Sequence, residues 1–288
     1  MPRSSSKKRG AKKRAANVSP SIASISSTLN PMRAGMPALD SILDVKPLTM
    51  PAAMALSKAA GAPAAARAAT YRIIKTNEVD AYEQGATQQE TLATTFAAAA
   101  PESDKYTGKA RKAAKLSIAD APVKKFSDLK TLIKSLPADS DMIAHVPKIK
   151  TTPTSNRVKE EKRNVRVNVF LYAASREDDN DFHLILGRDP SLTPEMYMTM
   201  ELSGLPPSNS ASFEKLKAAR DAFKAFFGDD LPGTRYDFYD PPIPVRVEGS
   251  LFFDMSHSSG QRPGPKSLKS RMPTIFEVHP ITKIVFNP

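Results

Sequence analysis

The chain has 288 residues, 25% of them charged and 40% hydrophobic, with a net charge of +12 and no cysteine. Disulfides, thiol nucleophiles and cysteine-ligated metals are therefore excluded. No apolar run reaches membrane-spanning length and no secretory apolar region follows the basic start, so the expectation is a soluble, cytoplasmic protein.

The first segment carries most of the charge. Before Asp40 there is no acidic residue, but Arg3, Lys7, Lys8, Arg9, Lys12, Lys13, Arg14 and Arg33 are all basic. The remainder is nearly balanced, with 34 basic and 30 acidic residues. Such a block attracts the phosphates of nucleic acid, another polyanion or an anionic membrane surface. It also reads as a solubilising arm or, less well, as a transit peptide. Residues 1–70 are rich in Ala, Pro and Lys/Arg and are expected to be a disordered basic tail. Residues 71–155 read as a poorly structured or partly helical linker. Within it "YRIIKTNEVDAYE" is a short strand or docking piece, and "KFSDLKTLIKSLP" is a short helix with Ser127 as N-cap and Leu129, Leu132, Ile133 and Leu136 on one face.

Residues 156–288 form the main domain. "VRVNVFLYA" alternates, with Val165, Val167, Val169, Leu171 and Ala173 on one face and Arg166, Asn168, Phe170 and Tyr172 on the other. "SREDDND" turns the chain, and "FHLILG" returns with Phe182, Leu184 and Leu186 inward. "MYMTMEL" is a third strand. "SFEKLKAARDAFKAFFG" is a helix capped by Ser212 and ended by Gly228. "IPVRVEGSLFF" is a fourth strand with a bend at Gly249, and "TIFEVHPITKIVF" carries the fifth. Five strands with one helix between the third and fourth is the order of an OB-fold barrel, a mainly β class. An open five-stranded sheet with one helix is the alternative.

In that topology three distant histidines gather at one rim. His183 follows the first loop, His257 lies in the loop between the fourth and fifth strands, and His279 sits early in the fifth. Asp181, Asp254 and Glu277 accompany them. By parity, Asp181 and His183 point away from the core, and Glu277 and His279 share one side. Imidazole plus carboxylate suits a divalent metal, with His183, His257 and His279 as candidate ligands, or acid–base chemistry. The competing reading is that these residues fasten loops to the barrel mouth by hydrogen bonds. A second constellation is Arg166, Phe170, Tyr172 and Tyr197, aromatics interleaved with a cation, as single-stranded nucleic acid requires. Arg188, Arg262, Lys266, Lys269 and Arg271 add charge around the loops, available to phosphate or to solvent.

The segments "NDFHLILGRDP", "GSLFFDMSH" and "TIFEVHPITKIVF" resemble blocks in a widespread group of uncharacterised bacterial proteins. Members of that group typically end in Trp-Glu-(Ile/Val)-His-Pro-Val, and this chain has Phe276 in place of the Trp. The resemblance covers residues 120–288 and implies a shared domain without an assigned activity. Staphylococcal-nuclease-type enzymes also use an OB barrel, but their Asp/Arg/Glu motif is not matched here. The leading expectation is a non-catalytic OB-fold-like module binding nucleic acid or another polyanion. A metal-dependent, phosphodiesterase-like hydrolase using the rim site is the second, and a structural or interaction domain is the third.

Overall fold

A computed structural model of the chain describes residues 35–49, 70–80 and 104–288. The basic residues Lys7, Lys8, Arg9, Lys12, Lys13 and Arg14 lie outside the described residues, as does most of the expected tail. The described part is mainly β, with one long helix and one eight-stranded mixed sheet in the order β1-β2-β7-β8-β6-β5-β4-β3. The strands are β1 (Ile42–Pro47), β2 (Arg72–Thr76), β3 (Val123–Phe126), β4 (Asn164–Arg176), β5 (Phe182–Gly187), β6 (Tyr197–Leu202), β7 (Asp237–Phe253) and β8 (Phe276–Phe286). Short helices α1 (Lys112–Lys115), α2 (Leu129–Lys134) and α3 (Asp139–Ile143) precede β4, and α4 (Phe213–Phe227) joins β6 to β7.

Three strands more than expected belong to the sheet. The 17-residue β7 is long enough to pair with β2 through Asp237–Asp240 and with β8 through Val245–Phe253. β1 extends β2, and β3 runs parallel to the start of β4. Residues 104–155 are thus not a loose linker. They carry Tyr106, Leu129, Leu132 and Met142, whose apolar surface is buried against the domain, and that burial orders the segment. β7 also pairs antiparallel with β4, from Asn164↔Ser250 to Leu171↔Ile243. The pairings β4–β5, β5–β6, β6–β8, β8–β7 and β7–β4 therefore run in a circuit.

The alternation in sequence sets the inner face. Val165, Val167, Val169, Leu171, Phe182, Leu184, Leu186, Met198, Met200 and Leu202 share one core with Val245, Val247, Val278 and Ile281. A bulge between Leu171 and Ala173 shifts the parity, so that Ala174 rather than Ala173 faces this core. The register also shifts at Gly249, where the sequence signals a bend. α4 closes over the core with Phe223, Phe226 and Phe227, and Phe226 stacks on Phe286 at 3.9 Å between centroids. Two caps differ from expectation. Asp128, not Ser127, occupies the N-cap of α2, with its carboxylate drawn to Arg188. Ser212 holds the N-cap position of α4, but its hydroxyl donates to Leu116 O at 2.6 Å.

Where β2 joins β7, Lys75 Nζ lies 2.5 Å from Asp237 Oδ2. Burial raises Asp237 from its ordinary 3.8 to about 6, against the opposing pull of Lys75. An acid whose folded pKa exceeds its unfolded value favours the folded state most when protonated. Its contribution is then full below 3.8 and is lost as pH rises through about 6. Asp237→Asn is expected to flatten the fall in stability over that window. Urea midpoints compared at the two ends of the window check this, and an unaltered slope would refute the assignment.

Candidate functional site: a buried histidine–carboxylate belt

β5 and β6 are buried on both faces. Their inner face is the core, and their outer face carries His183, Thr199 and Glu201, with His183 directly opposite Glu201. A charged outer face can be buried only beneath polar partners, and residues 104–119 supply them. This cover segment is stitched down by backbone bonds from Tyr106 N to Leu205 O (3.0 Å), Leu205 N to Asp104 O (2.6 Å) and Thr107 N to Asp179 O (3.1 Å). It passes so close to Gly204 that a Cβ there would stand 2.7 Å from Tyr106 Cα.

Two arginines clamp the cover. Arg111 makes a two-pronged contact with Glu161, Nη1–Oε1 at 2.6 Å and Nη2–Oε2 at 2.7 Å, while its guanidinium lies 4.6 Å above the Phe252 ring. The buried Arg157 donates to Ala114 O (2.6 Å), Ser117 O (2.9 Å), His279 O (2.7 Å) and Leu251 O. A second cover, the segment 254–275, is tied through Asp80 to Gly264 N (2.6 Å), through Glu78 to Ser267 N (3.0 Å) and through Asp139 to Thr274 Oγ1 (2.6 Å).

Under these covers lie two groups whose ligand-type atoms stand within 4.8 Å of one another, Asp80/Glu177/His183 and Asp181/Glu201/His279. His183 Nδ1 lies 2.5 Å from Glu177 Oε1, and Tyr236 stands edge-on to the imidazole. Burial opposes charge on His183, but Glu177 outweighs it and raises the imidazole to about 10. In the second group His279 Nδ1 is 2.7 Å from Glu201 Oε2 and 3.6 Å from Glu277 Oε2, and His279 Nε2 is 3.3 Å from Asp181 Oδ2. Asp181 Oδ1 accepts from Gly204 N at 2.6 Å. Lys115 Nζ stands 3.6–3.9 Å from Asp179, Asp181 and Glu201.

Burial, reinforced by neighbouring carboxylates, raises Asp181 and Glu277 well above the usual range. Burial also works to raise Glu201, but His279 and Lys115 prevail and hold it low. For His279 burial dominates and lowers the imidazole. Lys115 Nζ stands 3.8 Å from Glu201 Oε2 as a further cation, so the lowered Glu201 carboxyl is the direction that holds for this pair. Five buried atoms here lack an aligned hydrogen bond: Asp181 Oδ2, Glu201 Oε2, Glu277 Oε2 and both ring nitrogens of His279, with Nδ1 and Glu201 Oε2 nonetheless 2.7 Å apart. Each such atom costs about 1–3 kcal/mol if nothing satisfies it.

The structure thus links His183 and His279 through Glu201 and gathers Asp181 and Glu277 around His279. His257 belongs to neither group. It lies in a short turn with Nε2 3.3 Å from Asp254 Oδ2, while Asp254 Oδ1 accepts from Ser256 N. Asp254 and His257 therefore fasten the loop, in keeping with the hydrogen-bonding reading of the rim. All three imidazoles are buried, and His279 has 0% exposure. Two shallow concavities, one bordered by Lys112, Pro153 and Pro207 and one by Glu214, Ala222 and Ile284, include none of them.

The stacking constellation is corrected on geometry. Tyr172 and Tyr197 are 2% and 1% exposed and pack edge to face at 5.0 Å. Gly35, at φ +77°, lies on the Tyr172 ring so closely that a Cβ would meet it at 2.0 Å. No base can reach these rings while the chain's own backbone covers them. Phe170 is half-buried. Arg166 pairs with Glu248 at 2.7 Å, and Arg188 with Asp128 at 2.9 Å. Arg262 pairs with Asp139 and Arg271 with Glu195.

Glu201, Glu177, Asp80 and Lys115 were missed from sequence. Glu201 carried a usable signal, since its parity on β6 puts it outward, across from His183. Lys115 and Asp80 carried none, because their approach depends on how the covers fold back. The fold and site together define a mainly β protein with a buried histidine–carboxylate belt. No known family, no curated protein and no solved structure matches this chain.

Removing Glu161 leaves the Arg111 guanidinium buried without its carboxylate. Glu161→Ala should cost about 3–5 kcal/mol. Asp221→Ala, which breaks the exposed Lys217–Asp221 pair, should leave stability nearly unchanged. Urea unfolding of both variants measures the contrast; equal losses would show that the clamp does not hold the cover.

Proposed function

We propose that the chain is a non-catalytic, OB-type binding module. Its contact with nucleic acid or another polyanion is made by the basic segment before Asp40, not by the face of the sheet. The OB reading is supported by the strand circuit β4–β5–β6–β8–β7–β4, with α4 between β6 and β7 in the chain. The observation that carries the partner class is charge segregation: eight Lys/Arg and no Asp/Glu precede Asp40, against 34 and 30 afterwards. An OB barrel ordinarily binds on the face of its second and third strands, and here that face is covered by residues 104–119. Its aromatic rings are packed and its arginines are paired. The burial of all three imidazoles also counts against a hydrolase, because no substrate phosphate reaches them. The folded domain then acts as a rigid carrier, and affinity comes from counterion release along the arm.

The test uses the full chain and single-stranded DNA over a series of salt concentrations. Exchanging Lys7, Lys8, Arg9, Lys12, Lys13 and Arg14 for Gln should flatten the plot of log affinity against log salt by up to about 4, at roughly 0.7 per phosphate contact. Arg166→Gln should leave that slope unchanged. If the arm variant binds as the parent does, the reading fails; if the parent itself does not bind, an interaction domain without a polyanion partner replaces it.

A further inference from the structure

Asp181, Glu201 and His279 come from three places in the chain: the turn before β5, the outer face of β6 and the outer face of β8. Each offers an atom within 4.8 Å of the others, and all three side chains are buried. Closeness among acids is not sufficient evidence of a ligand, since buried carboxylates can share protons. The second observation is the unmet bonding of the imidazole. His279 has 0% exposure, and neither ring nitrogen makes an aligned hydrogen bond, although Nδ1 stands 2.7 Å from Glu201 Oε2 and Nε2 3.3 Å from Asp181 Oδ2. A neutral imidazole has one donor and one acceptor nitrogen, and a buried one ordinarily satisfies both. Asp181 Oδ2 and Glu201 Oε2 face the ring in the same unsatisfied state. Asp181 is held in place from behind, with Oδ1 accepting from Gly204 N at 2.6 Å, so that Oδ2 is presented to the cluster. The 3.3 Å between His279 Nε2 and Asp181 Oδ2 is close to the ~3.4 Å edge of a tetrahedron with bonds of ~2.1 Å.

We propose that Asp181, Glu201 and His279 form a structural divalent-metal centre that ties the turn before β5 to β6 and β8. One imidazole nitrogen with two carboxylate oxygens suits zinc or manganese. Glu277 Oε2 stands 3.6 Å from His279 Nδ1, on the edge of the ring away from Asp181, and lies outside the three-residue group. Lys115 is the resident competitor. At 3.9 Å from Asp181 Oδ2 and 3.8 Å from Glu201 Oε2 it offsets charge but donates to neither. All three side chains of the centre are buried, so its work is to hold the fold. It is independent of the polyanion reading, which concerns a different part of the chain.

The experiment loads the full-length protein separately with zinc and with manganese and removes excess ion. It then reads bound metal by mass spectrometry and melting temperature with and without a chelator. The parent is expected to retain a stoichiometric ion and to melt lower after chelation. Glu201→Gln and His279→Gln should each weaken retention by about 10–100-fold or more. His257→Gln, outside the group, should retain the ion. Lys115→Met should bind it at least as tightly as the parent. If the parent retains neither ion and its melting is indifferent to chelator, the proposal is overturned, and Lys115 is the only cation of the cluster. It is equally overturned if both ligand variants keep the ion or if His257→Gln alone loses it. Should the ligand variants fail to fold, the parent's retention and chelator response decide the matter.

Discussion

Glu161 accepts four hydrogen bonds at once, two from Arg111 and one each from Val158 N and Phe253 N. Both side chains are 1% exposed or less. An ion pair so deeply buried loses hydration that its mutual attraction must replace, and it holds only when the remaining lone pairs are satisfied. Here they are, because the carboxylate also receives backbone donors from two segments. The pair therefore joins the start of α1, the turn before β4 and the end of β7 at one point. Arg157 repeats the device alongside, collecting carbonyls from the cover, from β7 and from β8. These two guanidiniums anchor the middle of the cover, while backbone bonds at Tyr106, Thr107 and Leu205 hold its start.

The belt of histidines and carboxylates exists as a buried object only because that cover is in place. His183, Glu201, Glu277 and His279 lie on the outer face of the sheet, where an uncovered sheet would present them to water. Sealed in, they shift in different directions: against burial, Glu177 raises His183 and His279 with Lys115 lowers Glu201, whereas burial raises Asp181 and Glu277 and lowers His279. These directions follow from burial, which tolerates charge only where a partner of opposite sign stands close. The same covering leaves Tyr172 and Tyr197 packed and Arg166 and Arg188 paired, which is why the proposed polyanion contact falls on the segment before Asp40.

Much of the framework was legible in the sequence. The period-two runs from Val165, Phe182, Met198, Val245 and Phe276 marked five strands, and the 3.6-residue stripe of Leu216, Ala219 and Phe223 marked the helix between the third and fourth. Parity alone put Asp181 with His183, and Glu277 with His279, away from the core. The bulge near Tyr172 was not legible, because one extra residue in a strand leaves the apolar pattern nearly intact. β1 and β3 were also missed: Ile42–Pro47 and Val123–Phe126 are short, sit at the edges and take their structure from a neighbour's hydrogen bonds rather than from their own periodicity. Tyr172 and Tyr197 misled for a related reason. An aromatic on the outer face of a strand looks the same in sequence whether it awaits a base or lies under Gly35.

By itself, then, the sequence determined the strand alternation, the placement of α4 and the segregation of positive charge before Asp40. Each of these is a local property, set by side-chain period or by composition. Only the tertiary structure decided that Lys115 and Glu201 meet His279, that His257 pairs with Asp254 outside that group, and that residues 104–119 close over the belt. Those contacts join segments tens of residues apart, and the buried arginine clamps that fix them leave no periodic trace in the chain.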